Sequence, residues 1–272
     1  MPDDTLYCAT CKKERTRSEL ASTLLVCPDC GHHFRMEPYE RIATVADPGS
    51  FVEFDHDAPL KDPIGMVGYR ERLAEAVKST GLPEAVITGS CAIEGNPAIV
   101  AAMSFSFIGG SMGSVAGQKI TRAMLEGVER RVPVIAFAAS GGVRMQEGIH
   151  SLMQMVKTSS AAWRLDREGI PLFIVLCDPS SGGVIASFAM LGDVIIAEPG
   201  AFVGFAGPRV IEKTINRGMP EGLQRAERQL DRGFVDIIAP RGEHRELLAR
   251  LMRTHPVRSI RPTREKRRGE KR

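Results

Sequence analysis

Between residues 98 and 197, short apolar runs alternate with longer stretches in which apolar residues recur every three or four positions. Ala98–Met103, Val134–Ala138, Leu172–Leu176 and Val194–Ala197 are rich in Val, Ile, Leu, Phe and Ala, a pattern that predicts buried strands. Helical spacing groups Ile120, Ala123, Met124, Gly127 and Val128 on one face. A second face carries Leu152, Met155, Val156, Ser159 and Trp163, and both stripes are expected to turn toward a core. Upstream, Leu73, Ala76 and Val77 place a helix over Tyr69–Thr80, inside a connector that runs from Glu37 to Thr88. Strands alternating with helices predict an α/β domain whose sheet is mostly parallel and flanked by helices. No repeat of fixed length appears, so neither a solenoid nor a barrel of eight units is indicated. The Met-rich run from Met145 to Met155 is expected to serve as core packing.

Composition narrows the class. The chain has 272 residues, 43% of them apolar and 25% charged, enough for one sizeable core plus a small appendage. No apolar run is long enough to span a membrane, and the first residues lack a basic flank and an apolar stretch, so a cytoplasmic protein is expected. The net charge of +3 hides an asymmetry: residues 258–272 carry a net +6, leaving −3 for residues 1–257. That argues against a fold-wide nucleic-acid footprint. The basic segment reads as a disordered, solvated tail, with an arm for an acidic partner or nucleic acid as the alternative.

Four of the six cysteines fall as Cys8-x2-Cys11 and Cys27-x2-Cys30, separated by fifteen residues. This spacing brings two knuckles together so that four thiolates can close a tetrahedron around zinc. Such a shell leaves no open position for water, so the metal is expected to be structural. A module this small cannot bury enough apolar surface to fold alone, and zinc supplies the missing free energy. His32 and His33 are the alternative ligands. The expected organisation is a zinc ribbon over residues 1–36, a main domain over 37–257 and the basic tail over 258–272.

Three glycine-rich turns interrupt the α/β pattern: Gly109-Gly110-Ser111-Met112-Gly113-Ser114, Ser140-Gly141-Gly142-Val143-Arg144 and Ser180-Ser181-Gly182-Gly183-Val184. The last two follow strands and open helices, where backbone N–H groups can converge on an anion. Such glycines also make plain tight turns. None matches a P-loop or a dinucleotide fingerprint, which removes phosphoryl and hydride transfer. Only His150 lies near a glycine turn, a poor basis for Ser-His-Asp hydrolysis. Convergent backbone donors suit an oxyanion hole that stabilises a thioester enolate or a similar charge.

The runs GGSMGSVAGQKITRA, SGGVRMQEG, SLMQMVKTS, DPSSGGV, ASFAMLGD and AEPGAFVGFAGPRVIE, with VCPDCGHHFRM in the ribbon, resemble the acetyl-CoA carboxylase carboxyltransferase beta-subunit family from Cys8 to about Met252. The resemblance implies a crotonase-like fold of stacked ββα units and a heterotetramer with a homologous alpha subunit, the active site lying at the α/β interface. It also implies carboxybiotin on a biotin carboxyl carrier protein, charged by biotin carboxylase, as carboxyl donor. Acetyl-CoA would be the acceptor and malonyl-CoA the product, a step in fatty-acid precursor synthesis. Two oxyanions develop, on the ureido group and on the thioester, and each needs its own hole. By similarity Gly182 and Gly183 form this subunit's hole. Gly141, Gly142 and Arg144 line the CoA side, where Arg144 would face phosphate or position the turn, with Gly109, Gly110 and Ser111 as further substrate-binding residues. A structural ion pair between Arg144 and Glu147 is the alternative for that arginine.

The sequence departs from the family pattern in places. Ser104 stands where Asp is usual, Val143 replaces the Ala of S-G-G-A-R, and Cys177, Ser180 and Ser181 replace Thr residues. These edits raise the alternative of a paralogue that carboxylates or decarboxylates another acyl-CoA. A non-catalytic or nucleic-acid-binding role through ribbon and tail is a third reading.

Overall fold

The computed structural model describes residues 5–206, 211, 214 and 222–257. The basic tail and the end of the AEPGAFVGFAGPRVIE run lie outside the described residues.

Residues 5–36 form a small unit in which β1 (Thr5–Tyr7) pairs antiparallel with β2 (Glu14–Thr16), followed by α1 (Arg17–Ala21). Thr16 opens α1 through a capping box: its hydroxyl accepts from the Glu19 amide at 3.3 Å, and the Glu19 carboxylate accepts from the Thr16 amide at 2.9 Å. The apolar cluster here is Leu20, Leu25, Phe34 and Met36 around Cys8 and Cys27. That is far too little surface to hold a fold by burial alone.

The rest builds on one mixed sheet. Its strands are β3 (Val52–Phe54), β4 (Val86–Ile93), β5 (Asn96–Met103), β6 (Val134–Ser140), β7 (Leu172–Ser181), β8 (Val194–Ala197), β9 (Val203–Gly204) and β10 (Ile237–Ile238). They lie in the order β10-β8-β7-β6-β5-β4-β3, with β9 against the end of β7. β3, β4 and β5 pair antiparallel; β5 to β8 and β10 are parallel. Ile99, Val134 and Leu172 sit side by side in adjacent parallel strands, all buried, as continuous apolar runs require. The helices are α2 (Pro38–Val45), α3 (Tyr69–Thr80), α4 (Ser114–Arg130), α5 (Ile149–Glu168), α6 (Gly182–Ile185), α7 (Ala226–Asp231) and α8 (His244–Thr254). All four expected strands are present, with β7 running on to Ser181, and α3 has the expected bounds. Among the described residues no helix is long and apolar enough to cross a membrane.

One expectation reverses. α4 buries Ile120, Ala123, Met124 and Gly127 as its periodicity predicts. α5 instead buries Ser151, Gln154, Thr158, Ala161, Ala162 and Leu165. Its apolar stripe faces outward, with Leu152 49%, Val156 56% and Trp163 61% exposed, while Met155 and Ser159 are half-buried. The two helices meet where Gly117 carries no side chain, since a β-carbon there would stand 2.6 Å from Gln154 Cβ. Close helix approach favours the small, polar side of α5, which leaves the larger apolar residues outside. Of the Met-rich run, Met155 packs against the core, while Met145 is 85% exposed and Met153 49%.

Candidate active site and metal centre

The four ribbon cysteines converge. Their sulfurs all lie within 4.8 Å of one another, with Cys8 Sγ 3.6 Å from Cys30 Sγ and Cys11 Sγ 3.7 Å from Cys27 Sγ. A tetrahedron with metal–sulfur bonds of about 2.3 Å has edges of about 3.8 Å, so this donor set fits zinc. Backbone bonds shape each knuckle: Lys12 N donates to Cys8 O at 3.0 Å and Gly31 N to Cys27 O at 2.9 Å. The two histidines are engaged elsewhere. His33 accepts from the Arg241 amide through Nε2 at 3.2 Å, so its Nδ1 donates to Gly31 O at 3.0 Å, and His32 Nδ1 lies 3.3 Å from Thr10 Oγ1.

A buried ionic joint fastens the ribbon to the sheet. The Arg241 guanidinium donates to the carbonyls of Leu24 at 2.7 Å and Phe34 at 2.9 Å, and to Glu198 at 2.8 Å. Arg41 binds the same carboxylate from α2. Burial would raise the Glu198 carboxyl, but the two guanidiniums outweigh it and hold it well below the usual carboxylate range.

The three glycine turns meet at the carboxyl ends of β6 and β7. Gly141 N donates to Gly109 O at 2.8 Å, Met112 N to Gly142 O at 2.8 Å and Arg144 N to Met112 O at 3.0 Å, lacing the first turn onto the second. Ser181 Oγ donates to Ser140 O at 3.2 Å, tying in the third. The approach is tight enough to require glycine. Gly142 has φ 121° and a β-carbon there would lie 3.1 Å from Gly183 N; Gly182 has φ 60° and a β-carbon would lie 2.9 Å from Gly141 O.

Among the described residues, the amides of Val143 and Gly183 at this meeting point find no hydrogen-bond partner. An unpaired N–H costs free energy unless something accepts from it, so both are candidate donors to a substrate oxygen. Gly182 differs from expectation: its amide donates to Phe205 O at 3.0 Å, and its part is to supply a left-handed bend. Sequence reasoning missed Val143 as a donor because a free amide is a property of ladder register, which residue types do not report.

Of the two parts expected of Arg144, the geometry fits positioning the turn. Its guanidinium is fully buried, donating to Glu84 at 3.0 Å, to Tyr69 Oη at 3.3 Å and to Ser111 O at 2.7 Å, with Glu147 3.7 Å away. It cannot reach a solvent-borne phosphate; it positions the turns. Glu147 in turn accepts from Tyr69 Oη at 2.7 Å and from the Ser114 amide at 2.6 Å, at the start of α4. Gly109, Gly110 and Ser111 belong to this scaffold, since Ser111 Oγ donates to Ile108 O at 2.7 Å and accepts from Arg144 Nε at 3.2 Å. Gly109 to Gly113 spells G-x-S-x-G, but Ser111 has no hydrogen bond to a histidine, so it is not a nucleophile elbow.

Of the departures from the family pattern, most are structural. Ser104 Oγ donates to the Glu37 carboxylate at 2.5 Å, away from the amides. Cys177 is buried beneath the ionic joint, where burial pushes its thiol up to about 12. Ser180 Oγ bonds to Ala138 O at 2.8 Å. Val143 alone stands beside the unpartnered amides, and Met155 lies with it against Gly183. Met155 also lines an open groove of about 500 Å³ with Val156, Ser159, Ser160, Trp163 and Ala186.

Residues 35–253 match the carboxyl transferase domain family. The chain is 56% identical, over 92% of its length and 95% of the relative's, to the acetyl-coenzyme A carboxylase carboxyl transferase subunit beta of Treponema denticola. It is 48% identical to the subunits beta/alpha protein of Natranaerobius thermophilus, where 91% of this chain matches 41% of that one. Among solved structures it resembles transcarboxylase 12S with hydrolysed methylmalonyl-coenzyme A bound, at a TM-score of 0.71 and 29% identity, covering 82% of this chain and 42% of that chain. Its mixed sheet, its laced glycine turns and this near full-length similarity place the chain in the carboxyl transferase domain family, among the beta subunits of acetyl-coenzyme A carboxylase carboxyl transferase.

Proposed function

We propose that this chain, joined to an alpha subunit, transfers a carboxyl group to acetyl-CoA and forms malonyl-CoA. The observation that carries the reading is the pair of unpartnered amides, Val143 and Gly183, at the rim of an exposed apolar helix face. Carboxybiotin on its carrier protein supplies the carboxyl group. The amides of Val143 and Gly183 donate hydrogen bonds to the thioester oxygen, and they strengthen their hold as negative charge grows on it when the α-carbon gives its proton to the ureido nitrogen that has released the carboxyl group. The Arg144, Glu84, Tyr69 and Glu147 network keeps the turns fixed, so the donors need no reorganisation at the moment of reaction.

The outward stripe of α5 is the surface the alpha subunit covers. It continues into the groove beside Gly183, so docking would close the site against water. We read residues 1–36 as a ribbon with structural zinc and residues 37–257 as the transferase domain.

The experiment reconstitutes the chain with its alpha subunit, carrier and acetyl-CoA. Malonyl-CoA is expected from the pair and not from the chain alone. Gly183→Ala, whose β-carbon would press on Val143 Cγ1 at 2.5 Å and push the two amides out of alignment, should lower kcat by about 10²–10³. Activity within about threefold of wild type, at an unchanged melting temperature, overturns the reading.

A further inference from the structure

Val143 contributes its amide to the site, but its side chain makes none of the bonds that lace the turns. A β-carbon at Gly183 would stand 2.5 Å from Val143 Cγ1 and 3.0 Å from Met155 Sδ, so these two side chains fill the space beside Gly183. Met155 also lines the groove along α5.

The isopropyl group cannot retreat. Met112 N to Gly142 O, at 2.8 Å, and Arg144 N to Met112 O, at 3.0 Å, pin the backbone on both sides of it. The next residue, Arg144, is held by its buried bond to Glu84. A β-branched side chain has little rotamer freedom with which to yield.

A thioester whose oxygen accepts from these amides carries its α-carbon on the same carbonyl carbon. Any substituent on that α-carbon therefore projects close to Val143. We infer that Val143, backed by Met155, is a specificity-determining residue that restricts the acyl group of the CoA ester to acetyl. The inference rests on the reading that the Val143 and Gly183 amides receive the thioester oxygen. A fixed wall discriminates against one extra methylene by about 10- to 200-fold.

The test measures kcat/KM for propionyl-CoA relative to acetyl-CoA with the reconstituted complex, alongside the melting temperature. Val143→Ala is expected to raise the ratio about tenfold or more and Val143→Ile to lower it. Val143→Thr, equal in size, should hold it within about threefold. A ratio that moves less than about threefold in both Val143→Ala and Val143→Ile overturns the inference, as does a Val143→Thr shift equal to that of Val143→Ala. Should Val143→Ala fail to fold, the Val143→Ile and Val143→Thr pair decides on the same criterion. The underlying site assignment fails by a different sign, namely Gly183→Ala retaining its rate on acetyl-CoA.

Discussion

The two flanks of the sheet are finished in opposite ways. On the ribbon side, Arg41, Glu198 and Arg241 are buried together, and ribbon carbonyls and His33 satisfy what the ion pairs leave over. On the α5 side, Leu152, Val156 and Trp163 stand largely in the open, with the Arg167 guanidinium over the Trp163 ring. A polar seam needs every partner in place and so marks a contact internal to the chain. An uncovered apolar stripe is the kind of surface an interaction site presents, the part proposed here for the alpha subunit.

Thermal melting of the isolated chain separates the two flanks. The largest effect is expected from Glu198→Gln, which leaves two buried guanidiniums without their counter-charge. Breaking such a pair costs about 3–5 kcal/mol, or a fall in melting temperature on the order of 10 °C. Zinc withdrawal by a chelator should have an intermediate effect. Amide exchange across residues 5–36 should rise sharply, while the main transition drops by only a few degrees, because the sheet keeps its own core. The smallest effect belongs to Val156→Glu. Its position is exposed, so melting should shift by no more than about 2 °C, yet co-elution with the alpha subunit on size exclusion should be lost. A chain strongly destabilised by Val156→Glu and indifferent to Glu198→Gln would invert the comparison.

Much of this was legible in the sequence, for identifiable reasons. Four apolar runs became four strands because a parallel sheet buried on both faces tolerates little else. The cysteine spacing located the metal site because knuckle geometry is local. What failed depended on the neighbour. The spacing of Leu152, Val156 and Trp163 gives a stripe but does not say whether it faces the core. For Arg144 the sequence fits phosphate contact and turn-holding equally, because its partner Glu84 lies 60 residues away. Gly182 and Gly183 looked equivalent in the turn, and only the strand that brings Phe205 alongside distinguishes them.

The ribbon joint has a consequence for sequence drift. Arg241 grips the carbonyls of Leu24, Leu25 and Phe34, and a main-chain oxygen is the same whichever side chain the residue bears. The seam therefore constrains the shape of the ribbon and leaves its spelling at those positions to other pressures, whereas Arg41, Glu198 and Arg241 are free to change only in concert. A ribbon of foreign sequence that closes the same two knuckles and keeps a histidine at position 33 is expected to seat on this sheet.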